Sequence, residues 1–352
     1  MISRLLLLSI INGLVALSQA LYFHIPEYVA DLGGGSLYVG MLLAGYGLGE
    51  IAIRPMAGIY TDNTGRRPVL LMGFVLFIAA TLLFRTVTST WESLFASRMA
   101  QGASIGLITS ALLTILVDEL DPENRVKGLS YFTAAGMIGT GIAAPLGSHL
   151  INAFGFLFVV DLTIALVGFS LLATMRIKLH PPPSKNEKMS LKDFFSLLIA
   201  PSLVPIWVAA VSLMITLYAV FGFVKQLEIS ENLPAMTYVF GPHMCAALLV
   251  RFFPIELHKV IGSKGVVALA LITLSVGLSI LSQADNTPLL VVSGLLIGTA
   301  HGYGTPIISA VASDRIPESQ RGTGLAVLTV CRDQFPDTGA RDEVHRLFYY
   351  TG

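Results

Sequence analysis

Apolar residues in this chain come in blocks of roughly 20, separated by short polar stretches rich in glycine, proline and charge. A helix rising 1.5 Å per residue needs about 20 such residues to cross a hydrocarbon layer of about 30 Å. Read this way, the blocks predict membrane-spanning helices near residues 5–25, 36–60, 68–86, 93–117, 128–153 and 155–176. A second series follows near 203–224, 236–257, 264–283 and 288–312, with an eleventh start at about 322. The fold class expected is all-α: a polytopic membrane protein of two six-helix halves, the second incomplete.

Composition agrees with lipid as the solvent. Of 352 residues, 54% are hydrophobic and 12% charged, whereas soluble domains carry about 25% charged residues. Net charge is zero, which leaves no basic field for nucleic acid. Cys245 and Cys331 are the only cysteines and show no paired spacing, so neither a disulfide framework nor a metal site is expected. No cofactor is expected either, and there is no Walker-type phosphate loop.

The positions of the charges say more than their sum. With the N-terminus on the cytoplasmic side, the inner segments hold Arg4, Arg66, Arg67, Arg125, Lys127, Arg176, Lys178, Lys185, Lys188, Lys192, Lys259, Lys264, Arg315 and Arg321. The outer loops hold Arg85 and Lys225. This is the positive-inside distribution, and it predicts a cytoplasmic N-terminus; the membrane expected is the plasma membrane. Arg4 and the run from Leu5 to Ile11 also resemble a secretory leader. The loop charges alternate correctly only if this segment stays as the first span.

A proline run with lysines, Pro181-Pro182-Pro183 among them, marks a solvated linker. The expected organisation is therefore a first membrane half over 1–177, a cytoplasmic linker over 178–193, a second half over 194–331 and an atypical polar tail over 332–352. Sliding the chain on itself by 196 residues sets Gly102 over Gly298, Gly106 over Gly302, Asp118 over Asp314 and Arg125 over Arg321. Internal repeats of this kind are expected where two helical halves enclose a central site.

Between spans two and three the chain reads Gly58-Ile59-Tyr60-Thr61-Asp62-Asn63-Thr64-Gly65-Arg66-Arg67. This Gly-x3-Asp-x2-Gly-Arg-Arg pattern resembles the signature of the major facilitator superfamily, at the loop where that family carries it. Asn63 departs from it, since the family usually places a basic residue after the aspartate. The resemblance implies a conformational latch formed by Gly58, Asp62, Gly65, Arg66 and Arg67 with Asp118 of span four and the start of span eleven. It further implies a secondary transporter of small organic solutes working by alternating access between two helical halves, with the bilayer and a small-molecule substrate as partners.

Ionisable side chains inside the membrane are costly and mark functional candidates. Arg98 and Gln101 resemble the family's Arg-x2-Gln-Gly pattern, in which the arginine faces the central cavity; the alternative is an Arg98 that reaches to the outer surface. Glu50 and Arg54, spaced i and i+4, form either a closed ion pair or a proton-coupling site. Asp161 has no obvious local partner and suits either proton carriage or a hydrogen bond near the outer loop. His24, His243 and His301 titrate in the physiological range when unperturbed, and each is either a coupling residue or a packing residue.

Span five, from Gly136 through Gly141 and Pro145 to Gly147, combines small residues for close packing with a proline that bends the helix. It resembles the fifth helix of proton-coupled exporters in the same superfamily, which implies efflux with protons as the coupling ion. After Cys331 the polar residues Arg332, Asp333, Asp337, Arg341, Asp342 and Glu343 leave no room for a spanning helix. The rival expectations are therefore a transport-inactive membrane protein with a binding or regulatory role, and an ion-coupled uptake transporter. No catalytic constellation suggests an enzyme.

Overall fold

The computed structural model describes residues 2–86, 91–176, 188–231, 235–252 and 257–332, and among them it contains helices and no strand. In chain order these are α1 (Ile2–Ala20), α2 (Ile25–Asp31), α3 (Ser36–Asn63), α4 (Arg66–Thr86), α5 (Trp91–Asp118), α6 (Arg125–Phe154), α7 (Phe156–Arg176), α8 (Leu191–Leu198), α9 (Val204–Glu231), α10 (Ala235–Phe252), α11 (Leu257–Leu281), α12 (Thr287–Arg315) and α13 (Arg321–Arg332). Most of the expected linker, and the tail from 333 onward, lie outside the described residues; the linker's last residues, 191–193, already belong to α8.

The expected spans correspond to helices, with differences: α9 runs on to Glu231, α11 begins at Leu257 and not at 264, and α12, over the expected span 288–312, is not among the helices apolar enough to cross a membrane. Span one runs on past residue 25: α1 gives way to a turn of 3-10 helix over Leu21–His24 and continues as α2 to Asp31. Pro26 stands at the first turn of α2, where a missing N–H costs nothing, and the chain changes helix type just before it. Six helices among the described residues are long and apolar enough to cross a membrane, and α6 adds a seventh if its two parts, which meet at 40° between Ala143 and Pro145, form one span. In α9 and α10 the apolar stretches Val204–Leu217 and Tyr238–Phe252 are shorter.

Two compact units emerge, and they cut across the halves expected from the linker. The first comprises Met1–Glu119, Ala135–Leu197 and Pro317–Gly352; the second comprises Leu120–Ala134 and Leu198–Ile316. The beginning of α13 thus belongs with the first unit and the beginning of α6 with the second. Side chains explain the exchange, because Asp62 of α3 holds the first turn of α13 and Arg251 of α10 donates to Thr133 of α6.

In the first unit α5 is the central helix, buried along most of its length against α3 and α4. At one end an aromatic cluster of Tyr22, Tyr28, Phe84 and Phe156 closes the core, with Tyr28 stacked on Phe156 at 4.6 Å between ring centroids. In lipid, helices associate through close packing and polar contacts, not through escape from water. Gly102 shows how close: a Cβ there would lie 1.8 Å from the Tyr46 carbonyl oxygen of α3. In the second unit α12 crosses α10 at the equivalent place, where a Cβ on Gly298 would lie 2.3 Å from the His243 carbonyl oxygen. The 196-residue repeat is therefore a repeat of helix crossings as well as of letters.

Candidate functional site

The loop that joins α3 to α4 turns on Gly65, whose φ of 101° is in the left-handed region that glycine adopts without strain. The turn brings Asp62 and Arg66 to one side. Asp62 Oδ1 accepts from the backbone N–H of Gly322 at 2.9 Å, and its Oδ2 accepts from the N–H and the hydroxyl of Thr323 at 2.8 and 2.7 Å. A carboxylate from one helix thus caps another, satisfying N–H groups that a helix start leaves open and meeting the positive end of its dipole. The approach requires Gly58, where a Cβ would stand 2.6 Å from the Ala326 Cβ and 2.8 Å from the Thr323 Cα.

Arg66 Nε donates to Asp118 Oδ2 at 2.9 Å, its Nη1 lies 3.7 Å from Asp62 Oδ1 and also donates to the Thr61 carbonyl, and its Nη2 donates to the Glu318 carbonyl. Asp118 accepts a second arginine, Arg321 Nη1, at 2.6 Å. Two acids and two arginines from α3, α4, α5 and α13 form one continuous cluster, and charge-assisted bonds of this kind are the strong ones. Arg67 points elsewhere and donates at 2.5 Å to the Met175 carbonyl near the end of α7. Asn63 pairs with the backbone of Met189 in both directions, donating to its carbonyl at 2.8 Å and accepting its N–H at 2.7 Å.

The second unit carries the counterpart. Arg125, at the start of α6, is ion-paired with Asp314 near the end of α12 and also donates to the Leu120 carbonyl. Each arginine of the repeat is thus paired with the acid of the other repeat: Arg321 with Asp118, Arg125 with Asp314. Sequence reasoning placed Asp118 with Asp62 and Arg66 and aligned Arg125 with Arg321, yet it missed that the two arginines exchange acids.

Within the spans, Arg98 is 4% exposed and does not reach the outer surface. Its guanidinium lies 4.6 Å from the ring centroids of both Tyr22 and Tyr46, a double cation–π contact, and donates to Gln101 Oε1 at 2.6 Å. Gln101 in turn donates to the hydroxyls of Tyr22 and Thr81. Glu50 accepts from Arg54 at 2.5 Å on α3. Asp161 does have a partner, Arg85 Nε at 2.9 Å, on the neighbouring helix α4. That pair is largely open, at 52% and 39% side-chain exposure.

His301 of α12 meets His243 of α10, with Nδ1 and Nε2 3.1 Å apart. Arg251, buried nearby, donates to the His301 carbonyl and to the hydroxyls of Thr305 and Thr133. In α6, Gly141 and Pro145 are exposed, whereas Gly147 is buried where a Cβ would meet the His24 ring at 2.6 Å. No group of three or more metal-ligating side chains occurs among the described residues.

Long apolar helices, an internal repeat of helix crossings and paired charge clusters at the helix ends define a polytopic helical membrane protein. The family model described as Major Facilitator Superfamily matches residues 5–333, and the chain belongs to that superfamily. It is similar to Multidrug resistance protein 1 of Bacillus subtilis (strain 168), 26% identical over 176 residues, which are 49% of this chain and 45% of that protein. It is also similar to Quinolone resistance protein NorA of Staphylococcus aureus (strain MRSA252), 25% identical over 126 residues, 36% of this chain and 32% of that one. These matches span less than half the length of either relative. Among solved structures, the human organic anion transporter MFSD10 (TETRAN) superposes with a TM-score of 0.69 at 17% identity, covering 97% of this chain and 92% of that chain; at that identity the likeness is one of fold.

Proposed function

We propose that the protein is a secondary transporter that moves small organic solutes across the bilayer by alternating access, in the efflux direction and in exchange for protons. The observation that carries the reading is the cluster of Asp62, Arg66, Asp118 and Arg321, which holds the first turn of α13 against α3. As a latch it stabilises one state of an alternating-access cycle, and it has to open for the other state to form. The names of the relatives, multidrug resistance and quinolone resistance, support amphipathic solutes and export. In the same reading the N-terminus is cytoplasmic, on the strength of the loop charges, and the membrane is the plasma membrane, as export from the cell requires.

Arg98 and Gln101 form the polar centre of the first unit, and Glu50 with Arg54 a closed ion pair in the second span. Asp161 acts with Arg85 as a surface pair. The test is flux in proteoliposomes holding the purified chain, with ethidium as the solute and an imposed pH gradient. Gradient-driven ethidium movement that collapses with a protonophore supports the reading; movement indifferent to the gradient removes proton exchange, and no movement removes transport.

A further inference from the structure

We propose that one edge of the Arg98 guanidinium, formed by Nε and Nη2, is a carboxylate-binding subsite for aromatic solutes; this names a substrate class for the transport reading and rests on that reading. Arg98 lies about 10 Å of helix rise inside the start of α5 at Trp91, and it is buried. A guanidinium stays protonated throughout the range in which proteins work. The charge at this depth is therefore permanent, and a buried charge is costly unless something pairs with it.

The chain itself satisfies this group only in part. The rings of Tyr22 and Tyr46 lie against the guanidinium, each centroid at 4.6 Å, and cation–π contact offsets part of the cost. Nη1 donates to Gln101 Oε1 at 2.6 Å. Gln101 is held in turn, because its Nε2 donates to the hydroxyls of Tyr22 and Thr81 at 2.9 and 3.0 Å. Nε is buried and has no hydrogen-bond partner among the described residues.

No ion pair to Arg98 occurs among the described residues, and the acids of the surrounding helices are committed elsewhere. Glu50 of α3 is engaged by Arg54 and Asp161 of α7 by Arg85. Asp62 and Asp118 belong to the latch, at the other end of α3 and α5. Glu92 is exposed in the first turn of α5. The first unit thus keeps a permanent cation at membrane depth, with one donor unmet and no carboxylate of its own upon it.

The geometry selects the partner that would complete the group. Nε and Nη2 present two parallel N–H groups along one edge, the fork that takes both oxygens of a single carboxylate. A neutral acceptor there would satisfy the donor and leave the charge; a carboxylate answers both. Tyr46 is half-buried whereas Tyr22 is buried, so an occupant approaches on the Tyr46 side, and an aromatic body attached to the carboxylate packs on that ring. Ethidium, a cation, has no use for this edge, so its movement tests transport without testing the subsite.

The experiment is equilibrium binding to the full chain in lipid nanodiscs at neutral pH, with naphthoate and its neutral isostere naphthamide as probes and empty nanodiscs to subtract partition into lipid. The unaltered chain should bind naphthoate at least about tenfold more tightly than naphthamide, the gain expected of hydrogen bonds to a charged group. In Arg98→Gln that preference should vanish; in Arg98→Lys, which keeps the charge and loses the fork, it should fall by about threefold or more. Equal binding of the two probes by the unaltered chain, no saturable binding of naphthoate, or a preference that survives in Arg98→Gln overturns the proposal. Displacement of naphthoate by an equal concentration of chloride would mark a site for small inorganic anions and overturn it as well. The comparison of two probes on the unaltered chain stands even where Arg98→Gln fails to fold. Binding is read apart from flux: ethidium movement without a naphthoate preference leaves the transport reading standing and removes the subsite, and a naphthoate preference in a chain that moves no ethidium removes transport and upholds the site.

Discussion

Arg321 Nη1 donates to Asp118 Oδ1 at 2.6 Å, although 203 residues of chain separate them. The residues 196 positions earlier than Arg321 and 196 later than Asp118 are Arg125 and Asp314, and they pair as well. The two couples differ in setting. Asp118 is 20% exposed and also receives Arg66, whereas Asp314 is 50% exposed.

That difference sets the relative cost of losing them. Replacing Asp118 by Ala removes the shared acid from two arginines that are about nine-tenths buried, leaving Arg66 with Asp62 at 3.7 Å and Arg321 with the exposed Glu318 at 3.3 Å, and the expected loss is about 3 kcal/mol, the low end for breaking a buried pair. Replacing Asp314 by Ala should cost less, about 1–2 kcal/mol, because its carboxylate is half-exposed and serves one arginine, although that arginine, Arg125, is as buried as Arg321. Thermal unfolding of the two variants in detergent, ranked against each other, checks the order; equal losses would contradict it.

Asp62→Asn keeps the shape of the cap and removes its charge. One amide oxygen can still accept from α13, but the amide nitrogen then faces the N–H of Thr323, and the pairing with Arg66 weakens. A loss of about 1.5–3 kcal/mol is expected, the range for hydrogen bonds to a charged group, together with hydrogen exchange that quickens at Gly322 and Thr323 before it quickens in α5. Uniform exchange throughout would show that the carboxylate does not hold this helix.

Gly58→Ala should displace α13 and destabilise by about 1–3 kcal/mol, since the added methyl has no room and the nearest atoms include backbone. Gly40→Ala, also in α3 and with nothing within 4 Å of a Cβ, is the matched control and should be neutral or slightly stabilising. A melting comparison of the pair separates packing at α13 from helix propensity.

Orientation is open to labelling. With Cys245 and Cys331 replaced by Ser, a single cysteine at Arg67 should react with a membrane-impermeant maleimide only after cells are opened, and one at Arg85 should react in intact cells. The reverse pattern would overturn the cytoplasmic placement of the N-terminus.

Local patterns carried most of the spans and the i, i+4 pair of Glu50 and Arg54, because each depends on residues close in sequence. The repeat was also legible, and it named Asp118, Asp314, Arg125 and Arg321 together. What it could not show was which acid meets which arginine, since that depends on how helices far apart in the chain pack. The same reason hid Arg85 as the partner of Asp161, Met189 as the partner of Asn63, and the meeting of His243 with His301. Arg98 was singled out by its motif, yet the two tyrosines that enclose it lie 52 and 76 positions away, on helices whose register no periodicity reveals.

The crossed pairing of Arg125 with Asp314 and Arg321 with Asp118 has a consequence for inheritance. Neither repeat contains a complete couple, so a change at one acid finds its compensating position in the other repeat, and the two repeats are bound to drift together. A chimera joining the first repeat of this chain to the second repeat of a relative would receive half of each couple from each parent. Its folding would depend on whether two separate lineages had kept the same four charges.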